Sequence, residues 1–226
     1  MSAPRRIWVT RTRPQAETTA ERLRAMGLEP VVAPLLEARA LSDVSLDLSG
    51  ADAIAFTSGH AVRAFAALCE ARSLPVFAVG EATAAMARAA GFTDVRAGRG
   101  DVSALARTIA AATPKPALVL NPTAREPAAD LAALLRARGV QARSVVVYET
   151  VPSGLREPPQ GVDAVLIHSP RAARMLANLV TPDQARGLRV FAISAAAAAP
   201  LTSPPFANIA LAPFPDEAGL LNLLEG

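Results

Sequence analysis

The sequence predicts an α/β protein of two similar domains, each a parallel sheet of about five strands flanked by helices. Three observations predict it. Short runs rich in Val and Ile alternate with Ala/Leu/Arg segments whose apolar residues recur at helical spacing, and such alternation calls for parallel strands joined by right-handed crossovers. The chain also repeats itself: DAIAFTSGHAVRAFAAL from Asp52 and DAVLIHSPRAARMLANL from Asp163 lie 111 residues apart. Finally, 226 residues are long for one core and comfortable for two.

In chain order, strands are expected at 7–10, 30–33, 53–57, 76–79, 94–97, 117–120, 143–148, 164–168, 190–193 and 209–212, where β-branched residues cluster. Helices are expected between them at 14–26, 59–72, 82–90, 102–112, 127–138, 170–179, 195–201 and 217–224, where apolar residues recur every three or four positions. The runs ALVL and SVVVY show no polar alternation, which suits central strands covered on both faces. About ten strands favour two sheets over one.

The repeat extends over four segments. PVFAVGEATAAMA from Pro75 matches RVFAISAAAAAPL from Arg189, and FTDVRAG from Phe92 matches FANIALA from Phe206. RTRPQAETTAERLRAMGLEP from Arg11 matches PTAREPAADLAALLRARGVQA from Pro122, with Arg13 over Arg125 and Gly27 over Gly139. Collinear matches at offsets of 111 to 114 read as internal duplication. The domain cut has two readings. A contiguous one divides the chain near Thr113. The other cuts at APLLEARALSD and YETVPSGLREPP, richer in Pro, Gly and charge, so that the chain ends join in one domain and the middle forms the other.

Composition removes several function classes. Hydrophobic content of 51% with 19% charged residues is globular. A net charge of +3 suits an acidic ligand or reflects arginine-rich composition; Lys115 is the only lysine and no basic run exists, which argues against nucleic acid. Cys69 is alone and His60 and His168 are the only histidines, without HxxH spacing, so no disulfide, metal or cysteine cluster is expected. GxGxxG and GxxxxGK[ST] loops are missing, which counts against a nucleotide- or phosphate-dependent transferase. FAISAAAAAP is far short of the ~20 apolar residues of a membrane span. The opening MSAPRRIWVTRTRP has no apolar run of the signal-peptide kind, and a cytoplasmic protein, with a monomer plausible, is the expectation.

Several phrases together resemble the uroporphyrinogen-III synthase family. VTRTRPQAETTAERLRAMGLEPVVAPLLE is similar to its opening strand, arginine turn, helix and "P-L-hydrophobic-E" hinge. AFTSGHAV, FAVGEATA, PTAREP, VVVYETV and LIHSPRAA resemble its later strand ends and turns in the same order, so the resemblance runs from about Arg6 to Leu224. It implies the exchanged arrangement: residues 1–38 plus 152–226 as one domain and 39–151 as the other, joined by two extended linker strands, with the active site in the cleft between them. It also implies the reaction, closure of the linear tetrapyrrole hydroxymethylbilane to uroporphyrinogen III with inversion of the last ring, without metal or organic cofactor.

Such a substrate carries many carboxylates, and helix N-termini following strand C-ends suit them through unpaired N–H groups. The turns so placed are 10–13, 57–60, 80–83, 121–125, 168–171 and 194–197. Within them Thr57, Ser58, Ser169 and Ser194 are candidates for carboxylate binding; for the serines, helix capping is the alternative. Arg11 matches the family's first-turn arginine and Arg125 its "G-R-E" arginine; Arg13 repeats the Arg125 position, and a shared ion pair is the competing reading. Thr83 resembles the threonine of "V-G-x-x-T". Tyr148, the only tyrosine, resembles the family tyrosine proposed as the general acid for the departing hydroxyl; a packing role is the alternative.

The second copy departs from the family pattern, with Ser194 for a glycine and Ala197 for a threonine, and LNPTAREP lacks the usual glycines. Two rival classes stand beside the synthase: a two-domain sensing module for a small anion or sugar, and a phosphate-dependent transferase on a Rossmann-like sheet.

Overall fold

A computed structural model describes residues 5–225. It divides into two compact units, one of residues 1–37 and 151–226, the other of residues 38–150.

In chain order the strands are β1 (Arg6–Val9), β2 (Glu29–Val32), β3 (Leu36–Ala40), β4 (Ala53–Phe56), β5 (Val76–Ala78), β6 (Val95–Ala97), β7 (Leu118–Ala124), β8 (Gln141–Pro152), β9 (Ala164–Ile167), β10 (Arg189–Ala192) and β11 (Asn208–Leu211). The helices are α1 (Gln15–Ala25), α2 (Gly59–Leu68), α3 (Glu81–Ala89), α4 (Val102–Ala110), α5 (Leu131–Arg136), α6 (Pro170–Leu179), α7 (Pro182–Gly187), α8 (Ala195–Ala198) and α9 (Glu217–Asn222).

The terminal unit carries a five-stranded sheet in the order β11-β10-β9-β1-β2, parallel throughout. The middle unit carries six strands in the order β3-β8-β7-β4-β5-β6, parallel from β8 to β6. Setting β4 against β9, β5 against β10, β6 against β11, β7 against β1 and β8 against β2 makes the two orders the same. The α/β class of parallel sheets flanked by helices is therefore the one the alternation predicts.

Each sheet is buried on both faces, which is why its strands lack polar alternation. In the terminal unit Trp8, Val165, Ile167 and Val190 face one cluster, and Ile7, Val9, Leu166 and Phe191 the other. In the middle unit the two faces are held by Ile54, Phe56, Val76 and Leu120, and by Ala55, Phe77 and Val119.

Two small devices occur once in each unit. The Asp52 carboxylate accepts from the Ala117 and Leu118 N–H groups at 2.8 and 2.9 Å, and so clasps the start of β7 to the start of β4. Asp163 does the same to Arg5 and Arg6 at 2.9 and 2.8 Å, at the starts of β1 and β9. Gly27 and Gly139, at φ +75° and +70°, end α1 and α5 in the left-handed region. There Leu28 N–H reaches Leu23 C=O at 3.0 Å and Val140 N–H reaches Leu135 C=O at 3.1 Å, satisfying carbonyls the helix leaves open.

The sequence reading needs correction at several elements. The LEARA segment forms β3, although it has little β-propensity, because Leu41 N–H bonds Val147 C=O and the edge of β8 holds it. That gives the middle sheet its sixth strand. Pro182–Gly187 is a helix absent from the expected set; its Thr181/Gln184 capping box was visible in the sequence. Helix α2 stops at Leu68 rather than 72, as Cys69 turns extended and the Arg72 guanidinium donates to the Cys69, Ala66 and Ala90 carbonyls. Helix α5 begins at Leu131 rather than 127, where Asp130 caps it.

Residues 121–124 are not a turn. They continue β7 in register with β8, from Asn121 opposite Ser144 to Ala124 opposite Tyr148, past a bulge at Thr123/Ala124. The buried Asn121 amide donates to Ala55 C=O at 2.9 Å, which makes an asparagine fit a strand interior. Tyr148 accordingly lies within β8 and does not end it.

Candidate active site

Parallel strands bring their C-terminal ends to one side of each sheet, and the turns that leave them form a lip. The lip of the middle unit is built by β4, β5, β7 and β8. Thr57 follows β4 and is half-buried. Ser58 comes next as the cap of α2, with extended backbone and its oxygen accepting from Ala61 N–H at 3.2 Å. The same oxygen lies 2.9 Å from the Tyr148 phenol oxygen. Tyr148 is fixed from behind, since its C=O accepts from Arg125 N–H at 2.9 Å. Thr83 lies in the first turn of α3 and is buried.

Beside the phenol stands His60, its ring centroid 5.6 Å from that of Tyr148. Burial, with the Arg63 charge in support, pushes the His60 imidazole down to about 4. His60 is therefore neutral near neutral pH, and its Nδ1 lies 2.9 Å from the Arg63 guanidinium. A neutral ring beside the phenol adds no competing charge there.

Arg125 leaves the lip outward. Its Nε lies 3.1 Å from Glu149, which Arg39 also engages. The Arg39 and Arg125 guanidiniums hold the Glu149 carboxyl below its usual range through hydrogen bonds. Next to Arg125 lies a groove of about 360 Å³ whose lining includes Asn121, Thr123, Arg136 and Ser144.

The terminal unit builds its lip differently. Ser169 caps α6 and Ser194 caps α8, each accepting from the N–H three residues on at 3.2 Å. Arg11, after β1, pairs with Glu217 at 2.6 Å, and His168 Nε2 lies 3.1 Å from the same carboxylate. Thr19 donates to the other Glu217 oxygen. Burial pushes the Glu217 carboxyl up, but the His168 and Thr19 hydrogen bonds and the His168 and Arg11 charges outweigh it and bring it down to about 2. Arg13 pairs with Glu17 at 2.9 Å on an exposed surface.

The structure thus brings Ser58 and Tyr148 together and sets Arg125 behind them. It engages Arg11, Arg13 and Arg125 in ion pairs; an ion pair was the competing reading for Arg13 and Arg125, and a surface arginine that for Arg11. Sequence reasoning passed over His60, His168, Glu149 and Glu217 as site residues. His60 and His168 were in the named turns; the two glutamates gave no signal, because their partners are distant in the chain.

Among the described residues no group of His, Cys, Asp or Glu is arranged to hold a metal ion, and no helix is long and apolar enough to cross a membrane.

A family model described as uroporphyrinogen-III synthase HemD matches residues 17–222, beginning just after Arg11 and Arg13. Among solved structures, the chain is similar to uroporphyrinogen-III synthetase from Helicobacter pylori 26695, with a TM-score of 0.64 and 19% identity over 97% of both chains. It is also similar to a mutant uroporphyrinogen III synthase from the extremely thermophilic bacterium Thermus thermophilus, with a TM-score of 0.50 and 15% identity over 98% of both chains. At these identities the likeness shows the fold. No curated protein matches by sequence.

Proposed function

The chain belongs to the uroporphyrinogen-III synthase family, and from that premise we propose how its residues serve the family's reaction, closure of hydroxymethylbilane with inversion of the last ring and loss of water. Tyr148 is the general acid. It gives its phenolic proton to the terminal hydroxyl as the C–O bond breaks; water leaves, and an azafulvene-like electrophile remains. The observation that carries this reading is the Tyr148 phenol standing at the mouth of α2, 2.9 Å from Ser58.

The substrate's carboxylate arms meet main-chain N–H groups at the helix starts behind Thr57, Ser58, Thr83, Ser169 and Ser194. Arg125 and the groove beside it receive one arm of the middle unit's side, with a charge-assisted bond to carboxylate. Arg11 and Arg13 reach a substrate carboxylate by exchanging their Glu217 and Glu17 partners for it. The attacking carbon of the last ring is selected by how the chain is held, an effect of orientation rather than covalent catalysis. The enzyme works as a cytoplasmic monomer, and its two units descend from one duplicated ancestor.

The test is a coupled assay in which hydroxymethylbilane is made in the reaction and the product isomers are separated. The inverted isomer should form at a rate proportional to this protein. Only the uninverted isomer, at the spontaneous rate, would overturn the reading in favour of a binding module.

A further inference from the structure

We propose that Ser58 is a positioning residue for the acid: its hydroxyl donates to the Tyr148 oxygen, so the phenol's own hydrogen points out of the protein toward the leaving hydroxyl. The inference rests on Tyr148 being that acid.

The distance fits either direction, and the one in which Ser58 donates leaves the phenolic proton free for the substrate. The Ser58 oxygen already accepts the Ala61 N–H at 3.2 Å. Its single hydrogen needs an acceptor, and the Tyr148 oxygen at 2.9 Å is the one the geometry provides. With the phenol as donor, the serine hydrogen would fall to solvent and the proton the reaction needs would be turned inward. The two residues lie on separate supports, Ser58 at the start of a ten-residue helix and Tyr148 within a twelve-residue strand, so the pair is held from both sides.

In the step itself, the electron pair of the C–O bond stays with the leaving oxygen, and the phenolic proton joins it to make water. The Tyr148 phenolate then keeps the Ser58 hydrogen bond, in the positive field at the N-terminus of α2. The proton lost from the pyrrole carbon at ring closure restores the phenol. Ser169 has nearly the same backbone, φ −157° and ψ 154° against φ −158° and ψ 154° for Ser58, and the same cap. It meets no phenol, since the chain has one tyrosine.

That single tyrosine makes the test direct. Ring-labelled tyrosine gives one signal from the carbon bonded to the phenol oxygen, and that signal senses the hydrogen bond. Ser58→Ala should shift it and lower kcat roughly tenfold or more, the loss of one charge-assisted bond, with KM within about twofold. Ser58→Thr should restore both. Ser58→Gly removes the hydroxyl at little cost to the cap, which keeps the test valid if the alanine variant folds poorly. Asp101→Ala, which removes the cap of α4 in the same unit, should move neither. Adding Ser58→Ala to Tyr148→Phe should cost nothing more.

An unmoved signal, unchanged kcat in Ser58→Ala and Ser58→Gly, or additive losses in the double variant would overturn the positioning role. A shifted signal together with full activity in Tyr148→Phe would instead remove the acid assignment on which it rests.

Discussion

The two lips share one form and differ in what they hold. At the equivalent strand exits, the middle unit has Ser58 bonded to a phenol, while the terminal unit has His168 and Arg11 locked on Glu217. Following the serine, the middle unit has Gly59, which keeps a main-chain N–H, and the terminal unit has Pro170, which has none. The next turn differs again: Gly80 opens α3 without a side-chain cap, and Ser194 opens α8 with one. Both backbones there are extended, a conformation any residue adopts, so the serine introduces no strain. The difference teaches that one unit sets a hydroxyl pair at its lip, while the other engages its lip arginine and histidine on a shared carboxylate.

The first way to break that comparison is to unlock the terminal unit. Glu217→Ala leaves Arg11, Thr19 and His168 without their shared acceptor. It should destabilise that unit by about 3 kcal/mol, somewhat under the loss of a fully buried ion pair. Emission of Trp8, the only tryptophan and part of this unit's core, reads the loss, while the midpoint of the middle unit should barely move.

The shared clasps should behave alike. Asp52→Ala and Asp163→Ala each strand two N–H groups close to solvent, and each should cost about 1 kcal/mol in its own unit. Amide exchange of β4 and β9 separates the two effects.

Acid should take the units apart in sequence. The folded value of His60 lies below its ordinary 6.5, at about 4. The unfolded chain binds that proton first, so the middle unit loses stability as pH falls from 6.5 toward 4. Glu217 falls from 4.5 to about 2, so its contribution stays intact above pH 4.5 and is lost only as pH falls toward 2. His60→Asn should flatten the upper window in exchange measurements of the middle unit and leave the lower one unchanged.

The smallest effect belongs to Ser194→Gly. It restores the residue found at Gly80 and should alter stability by only a few tenths of a kcal/mol, because glycine also caps tolerably. Thermal melting followed by circular dichroism checks it.

Much of this was legible in the sequence because it is local or repeated. Helix α6 ends at the expected residues, since its apolar spacing and flanking turns agree. The duplicated Asp52 and Asp163 and the paired Gly27 and Gly139 mark the same physical jobs twice. Strand β3 gave no Val/Ile signal because its own composition is weak and its partner β8 lies some hundred residues away; only the family resemblance, with its extended linker strands, pointed to it. Residues 121–124 read as a turn because Asn and Pro favour turns locally, and only the pairing with β8 overrides them. At the candidate site, Ser58 and Tyr148 were each legible as single residues. Their bond spans 90 positions and the Arg11–Glu217 pair spans 206, and no local pattern encodes either.

The central claim is that the middle unit supplies the proton through Tyr148. Its most direct test is single-turnover closure of hydroxymethylbilane by wild-type protein and Tyr148→Phe under identical conditions. The account predicts roughly a hundredfold slower closure in the variant, the scale of general acid catalysis, with substrate binding retained. Closure at the wild-type rate in the absence of the phenolic oxygen would contradict it.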